Sequence, residues 1–328
     1  MNFKDTIKAA LEKRETLFAD ESSNCFRLFN GEGDGIRDLT IDRYGDYLLV
    51  QYFSNDLTAG NEPGKLRDDL LKEVSRVAEL IPVTIKGILV KNRAKIDSPG
   101  SVDFVAARRS RVAVGTLPPA GYTVVQCGTS ASVDLVEGQS TGIFLDMREV
   151  RQRLEDFYAR EKPASMLNLF SYTGMFSVHA LLNGAGCAVN IDLSRAVLKK
   201  AMENYTLNGL AADNRDFIYG DALSWTSRLA KQKRTFDFIV IDPPTFARHR
   251  KSTFSVKKDY PRVLETLGRL APGGHILTAV NTVSISADEF ISYHPREWEQ
   301  VFLSEESSDF VYRDAPYLKV GLWRQKGA

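Results

Sequence analysis

Three aspartates stand where apolar runs end: Asp192 after Ala188-Val189-Asn190-Ile191, Asp221 after Ile218-Tyr219-Gly220, and Asp242 after Phe238-Ile239-Val240-Ile241. A carboxylate at the end of a strand is placed to accept charge-assisted hydrogen bonds, which are stronger than neutral ones. Asp192 is positioned to accept both hydroxyls of a ribose, as an acidic residue at the second strand of a nucleotide-binding fold does. Asp221 can accept the N6 amine of an adenine, and Leu193 and Ala222 beside these acids complete the expected pocket. Each aspartate taken singly also fits a helix N-cap. Taken together, acids at three successive strand ends describe a pocket for adenosine.

Eighteen residues before Asp192 comes Gly174, the end of the loop Phe170-Ser171-Tyr172-Thr173-Gly174. A helix that opens directly after such a loop turns its backbone N–H groups toward a ligand. Gly174 permits the tight turn this needs. A dinucleotide fingerprint requires G-x-G-x-x-G, so a single glycine argues against NAD or FAD. An adenosine without a diphosphate fits, and S-adenosylmethionine is such a molecule. No metal role is expected for His249 or His294, which read as exposed and isolated.

Asp242 opens the stretch Asp242-Pro243-Pro244-Thr245-Phe246-Ala247-Arg248-His249-Arg250-Lys251. Pro-Pro makes a rigid turn and leaves carbonyl oxygens available to a substrate N–H. Phe246 offers a face for an extruded base, a contact worth roughly 1–3 kcal/mol. Arg248, Arg250, Lys251, Lys257 and Lys258 follow and suit phosphate contacts. A strand-end turn followed by a solvated basic loop would account for the prolines and the charge, though not for their place beside the cofactor pocket.

The elements that must hold these groups alternate regularly. Strands are expected at Ser165–Phe170, Ala188–Asp192, Asp216–Tyr219, Phe236–Ile241 and His275–Val280, and helices at 175–184, Arg195–Asn208, Ala222–Gln232 and Lys257–Leu270. Pro261 is tolerable in the last helix only near its first turn. This rhythm predicts an α/β fold with a mostly parallel, doubly wound sheet that binds ligands at its carboxyl ends. Asp146 is expected to cap the helix that follows it, and Ala315–Trp323 to form a last, antiparallel strand. Before this domain, a helix over residues 1–20 leads into a small α+β unit at 21–120, with a helix at Lys65–Ile81 and strands near Leu48–Phe53 and Gly87–Val90. A hairpin over 121–144 links it to the domain at 145–328. The small unit carries basic clusters at Lys91–Lys95 and Arg108–Arg111, which suit either RNA or solvent.

At 328 residues the chain has room for two domains, and its 43% hydrophobic and 26% charged residues suit a globular protein. A net charge of +1 excludes a global basic field, so a nucleic-acid partner must be held by local patches. Cys25, Cys127 and Cys187 are widely spaced, which excludes a disulfide framework and fits a reducing compartment. With no apolar run of signal or spanning length, a cytoplasmic protein without a membrane partner is expected.

Four phrases resemble bacterial 23S rRNA methyltransferases of the class I, S-adenosylmethionine-dependent type: Arg27 to Gly45, Gly138-Gln139-Ser140-Thr141-Gly142-Ile143-Phe144-Leu145-Asp146-Met147-Arg148, Asn168 to Gly174, and Asp242 to Phe246. The likeness runs in order from about residue 24 and implies an RNA partner, with Thr141, Phe144 and Asn168 joining the cofactor-binding set. Many relatives begin with a PUA-type RNA-binding domain; here about twenty residues precede the small unit, so grip from that module is expected to be absent.

The family has a cytosine-C5 and a guanine-N7 branch. Carbon C5 becomes nucleophilic only after a thiolate adds to C6. In the cytosine branch that cysteine follows the fifth strand, where this chain reads Ala279-Val280-Asn281-Thr282. The three cysteines are instead expected as buried core filler. Guanine N7 carries a free lone pair and loses no proton, so alignment is the main requirement. The resemblance implies that Asp242, Pro243 and Pro244 orient the base, Phe246 stacks on it and Asn281 bonds its edge. The alternatives are cytosine C5, a protein or small-molecule amine, and a non-catalytic assembly factor.

Overall fold

The computed structural model describes residues 3–54, 57, 67–94, 109–137, 140–244, 246–249 and 252–325, with only the backbone of 246–249 and 252–255. It divides into two compact units, Met1–Arg148 with Ser307–Asp314, and Glu149–Glu306 with Ala315–Ala328. Ser307–Asp314 therefore group with the first unit although they fall within the span expected for the second.

In the first unit, helix α1 (Phe3–Glu12) and helix α2 (Asp68–Leu80) lie against a sheet of β1 (Cys25–Asn30), β2 (Leu39–Tyr44), β3 (Tyr47–Tyr52), β4 (Gly87–Asn92) and β5 (Arg111–Gly115), in that spatial order. Only β3 and β4 are parallel, because α2 forms their crossover. Ile7 and Leu11 from α1 and Leu70, Val74 and Val77 from α2 share one core with Phe26, Leu28, Ile41, Val50 and Val90. Burying each such side chain contributes about 1.5–3 kcal/mol. The hairpin β6 (Thr123–Gln126) and β7 (Thr129–Ser132) forms a two-stranded sheet of its own, bonded to the start of β1 through Asn24 N–H and the Val125 carbonyl (2.9 Å). Lys91, expected in a basic surface cluster, is 1% exposed on β4. Arg109 and Arg111 are exposed, whereas Lys95 and Arg108 fall outside the described residues.

The returning segment is built into this unit by charge. The buried Arg14 donates to the Asp309 carbonyl (2.6 Å) and to the Asp34 carboxylate (2.6 Å). The Asp309 carboxylate accepts from the Arg27 backbone N–H (2.8 Å) and from Arg148 (3.0 Å). The Arg27 guanidinium lies 4.2 Å over the Phe310 ring. A side chain at Gly33 would collide with the Val311 carbonyl, so this contact requires glycine.

In the second unit a seven-stranded sheet runs β10 (Phe217–Tyr219), β9 (Cys187–Asp192), β8 (Ser165–Leu169), β11 (Phe238–Ile241), β14 (His275–Asn281), β16 (Leu318–Gln325), β15 (Trp298–Ser304). From β10 to β14 all neighbours are parallel; β16 and β15 are antiparallel additions. Chain order reverses between β8 and β11, and in sheets of this kind ligands bind outside the carboxyl ends of the strands at such a switch point. Helices α3 (Arg148–Glu161), α4 (Met175–Leu182), α5 (Arg195–Leu207), α6 (Ala222–Lys231), α7 (Val256–Leu270) and α8 (Ala287–Ser292) accompany this sheet, with the antiparallel pair β12 (Phe246–His249) and β13 (Ser252–Ser255) between β11 and α7. Leu167, Ile191, Ile239, Ile241, Leu264 and Leu267 are among its fully buried core. No helix among the described residues is long and apolar enough to cross a membrane.

The structure corrects several expectations. Asp146 sits inside a 3-10 turn (Leu145–Met147), and its carbonyl accepts from Ser307, so it is no N-cap. β15 has no sequence signal because it is a sheet edge with mostly exposed or half-buried residues. Pro261 is the sixth residue of α7, just past its first turn, because the helix begins at Val256, one residue earlier than expected. His294 is buried: its ring stacks on Trp323 at 3.8 Å and its Nε2 lies 2.9 Å from the Thr278 hydroxyl. Cys187, expected in the core, is exposed at the amino end of β9.

Candidate functional site

The loop after β8 bends through three left-handed residues, Phe170 (φ 57°), Tyr172 (φ 49°) and Gly174 (φ 74°). For the two aromatic residues this backbone costs on the order of 1–3 kcal/mol each unless the surroundings enforce it. They do so through backbone contacts. Ser171 N–H donates to the Ile191 carbonyl (3.0 Å), Gly174 N–H to the Ser171 carbonyl (2.8 Å), and Tyr172 N–H to Asp192 Oδ2 (2.9 Å). Gly174 is required twice over, because an added Cβ would also stand 3.0 Å from Ala201 on α5.

Asp192, at the end of β9, takes Tyr172 N–H on one carboxylate oxygen and Ser194 N–H (2.9 Å) on the other. Each oxygen keeps a further lone pair for a ligand hydroxyl. Asp192 does not cap α5; Ser194 does, accepting from Val197. Asp221 does cap α6: its Oδ2 accepts from the Ser224 backbone (2.8 Å) and hydroxyl (2.6 Å). Leu193 is exposed and Ala222 buried at the same edge.

Asn168 and Thr173 are buried, and the Asn168 amide donates to the Ser177 hydroxyl (2.9 Å). The Ser171 hydroxyl, on a residue 6% exposed, finds no partner among the described residues. A buried polar atom left without a partner is uncommon in a folded protein, and a bound ligand is one explanation. The preset loop, the oriented Asp192 carboxylate and this hydroxyl fit an adenosine-type cofactor. Thr141 and Phe144 belong to the first unit, where the Thr141 hydroxyl lies 2.9 Å from the Tyr44 hydroxyl and Phe144 is exposed.

On the other side of the switch point, Asp242 follows β11, half-buried, with Pro243 buried and Pro244 exposed. Asn281 is the last residue of β14 and is exposed. Phe246 and Arg248 lie on β12 with backbone alone described; Thr245, Arg250 and Lys251 fall outside the described residues. Lys257 and Lys258 are exposed in the first turn of α7, and Lys257 stands 3.6 Å from Glu289. The buried Tyr260 donates to the Ala279 carbonyl (2.9 Å) beneath Asn281; burial, then the Asp242 charge, push its hydroxyl well above the usual range.

Two features were invisible in the sequence. Lys319 on β16 donates to the carbonyls of Thr282 (2.9 Å) and Pro316 (2.7 Å), fixing the chain just beyond Asn281. Burial lowers its pKa, opposed by the charges of Glu306 and Glu305. Asn190, Asn204 and Tyr205 form hydrogen bonds underneath the loop; amides among apolar residues in β9 and α5 were the only hint of them.

Residues 88–314 match a family described as S-adenosylmethionine-dependent methyltransferase. YwbD of Bacillus subtilis (strain 168) is 35% identical over 340 residues, covering 99% of this chain and 80% of the relative. Ribosomal RNA large subunit methyltransferase I of Aeromonas salmonicida (strain A449) is 31% identical over 275 residues, covering 83% of this chain and 64% of its own length. The crystal structure of SMU.776 complexed with S-adenosylhomocysteine superposes with a TM-score of 0.83 at 26% identity, covering 98% of this chain and 80% of that one.

Proposed function

The chain belongs to the S-adenosylmethionine-dependent methyltransferase family, and from that premise we propose that it methylates large-subunit (23S) ribosomal RNA in the cytoplasm, at guanine N7. When bound, S-adenosylmethionine supplies an electrophilic methyl group on a sulfonium sulfur. The loop Phe170–Gly174 and Asp192 hold the cofactor, Asp192 through the ribose hydroxyls and Asp221 through its remaining carboxylate oxygen toward the adenine. Leu193 and Ala222 flank the base.

The observation that carries the choice of atom is Asn281 at the carboxyl end of β14, where carbon methylation would need a thiol. Cys187 opens β9 at the opposite end of the sheet. Cys25 and Cys127 are buried in the first unit with their thiols against the Val125 and Arg148 carbonyls. A ring nitrogen with a free lone pair needs neither nucleophile nor base, so the residues here have only to orient the acceptor and exclude water. Asp242 and the Pro243–Pro244 carbonyls set the base plane, Phe246 stacks on it and Asn281 bonds its edge. Arg248, Arg250, Lys251, Lys257 and Lys258 contact the phosphates. RNA as substrate is supported by the likeness to the ribosomal RNA large subunit methyltransferase of Aeromonas and by these cations.

The test is methyl transfer from labelled S-adenosylmethionine to 23S rRNA lacking the modification, followed by borohydride reduction and aniline cleavage. Label on RNA with strand scission at a guanine is expected. Label without scission excludes N7, and transfer only to protein or small amines excludes RNA.

A further inference from the structure

Beside the loop Phe170–Gly174 runs a chain of buried polar groups. Asn168 on β8 donates to the Ser177 hydroxyl on α4 (2.9 Å), and Ser177 donates to Asn190 Oδ1 on β9 (2.8 Å). Asn190 Nδ2 then donates to the Tyr205 hydroxyl on α5 (2.8 Å). From the same helix, Asn204 Nδ2 reaches back to the Thr173 carbonyl inside the loop (3.0 Å) and to Met175 Sδ (3.5 Å). Ser177, Asn190 and Asn204 are fully buried, and Asn168 and Tyr205 are 2% exposed.

Five buried polar side chains are a costly way to fill a core unless each is satisfied, and here the donors follow one another in a single direction. The chain ends at Tyr205, the neighbour of Asn204 on α5, and Asn204 in turn bonds the segment between Phe170 and Gly174, in which Phe170 and Tyr172 are left-handed. Such strain persists only where the surroundings over-determine it. Asn204 supplies a side-chain bond to the loop backbone at Thr173, between left-handed Tyr172 and left-handed Gly174. Ala201, one turn earlier on α5, closes the space that any side chain at Gly174 would need.

We propose that Asn204, backed by the Asn168–Ser177–Asn190–Tyr205 chain, is a positioning residue for cofactor binding: it holds the loop in its ligand-ready shape before the cofactor arrives. The proposal rests on the cofactor reading above. Its physical content is preorganisation, in which the ordering of the loop is completed during folding and not at the moment of binding. Removing the amide then lets Tyr172 relax toward ordinary backbone, carrying the Tyr172 N–H away from Asp192.

The test uses the full chain and S-adenosylhomocysteine as the probe. Calorimetry on the unmodified protein comes first; no binding there defeats the cofactor reading itself. With binding established, Asn204→Ala is expected to weaken S-adenosylhomocysteine roughly 5- to 50-fold. It is expected to raise KM for S-adenosylmethionine more than it lowers kcat, and to speed hydrogen exchange in residues 171–175. Thr206→Ala, which alters an exposed hydroxyl on the same helix, is expected to leave all three unchanged. An affinity within twofold of the unmodified protein, even with a lower melting temperature, overturns the proposal. Should Asn204→Ala not fold, Tyr205→Phe carries the test: a loss of about threefold supports it, and unchanged affinity overturns it.

Discussion

On the side of the switch point proposed to hold the cofactor, at the ends of β8, β9 and β10, the side chains assigned to it are held by bonds already made within the unit. Tyr172 and Ser194 aim Asp192, Ser224 holds Asp221, and Asn204 pins Thr173. On the side proposed for the acceptor, at the ends of β11 and β14, Pro244, Asn281, Lys257 and Lys258 are exposed. A small, invariant ligand rewards a prebuilt site. A macromolecular substrate brings its own structure, so its side of the crevice can remain open until the substrate arrives.

Substitutions on the two sides should separate in different measurements. The largest effect is expected from Asp192→Ala, which removes a carboxylate that also organises the loop. S-adenosylhomocysteine affinity should fall roughly 100-fold, about 3 kcal/mol, by calorimetry. A loss below fivefold would mean that the cofactor side is not built around this residue.

Acid tests both sides at once, because each has a buried histidine behind it. His179 on α4 and His294, bonded to Thr278 on β14, are both pushed down from 6.5 to about 4, chiefly by burial. Both therefore resist protonation in the folded state. The stability each contributes is complete above about pH 6.5 and is lost as pH falls toward 4, at most about 3 kcal/mol per histidine. Thermal unfolding followed from pH 7 to 4 should show this fall, and His179→Gln and His294→Gln should each flatten it. A flat profile in the unmodified protein would contradict the burial of these rings.

A smaller and more selective change is expected from Asn281→Ala: kcat reduced about tenfold for one lost hydrogen bond to the base, with S-adenosylhomocysteine affinity unchanged within twofold. Loss of cofactor affinity would erase the division between the sides. The smallest is Asp221→Ala, which removes an N-cap. It should lower stability by about 1 kcal/mol and weaken S-adenosylhomocysteine only a few-fold.

The alternation of strands and helices in the second unit was legible because buried parallel strands are continuous apolar runs. The ends of those runs pointed to Asp192, Asp221 and Asp242. β15 escaped because an edge strand needs no such run. Lys91 and His294 are buried against expectation for a shared reason: their types favour the surface, and only tertiary partners make burial tolerable. The same holds for Asn190 and Asn204, whose bonds span elements far apart in sequence. Strand order and the docking of Ser307–Asp314 into the first unit depend on pairings that no local pattern carries.

The most direct test is nucleoside mass spectrometry of unmodified 23S rRNA after incubation with the purified protein and deuterated S-adenosylmethionine. A trideuterated 7-methylguanosine is the predicted product. Trideuterated 5-methylcytosine would contradict the reading of Asn281 and require a thiol in the reaction.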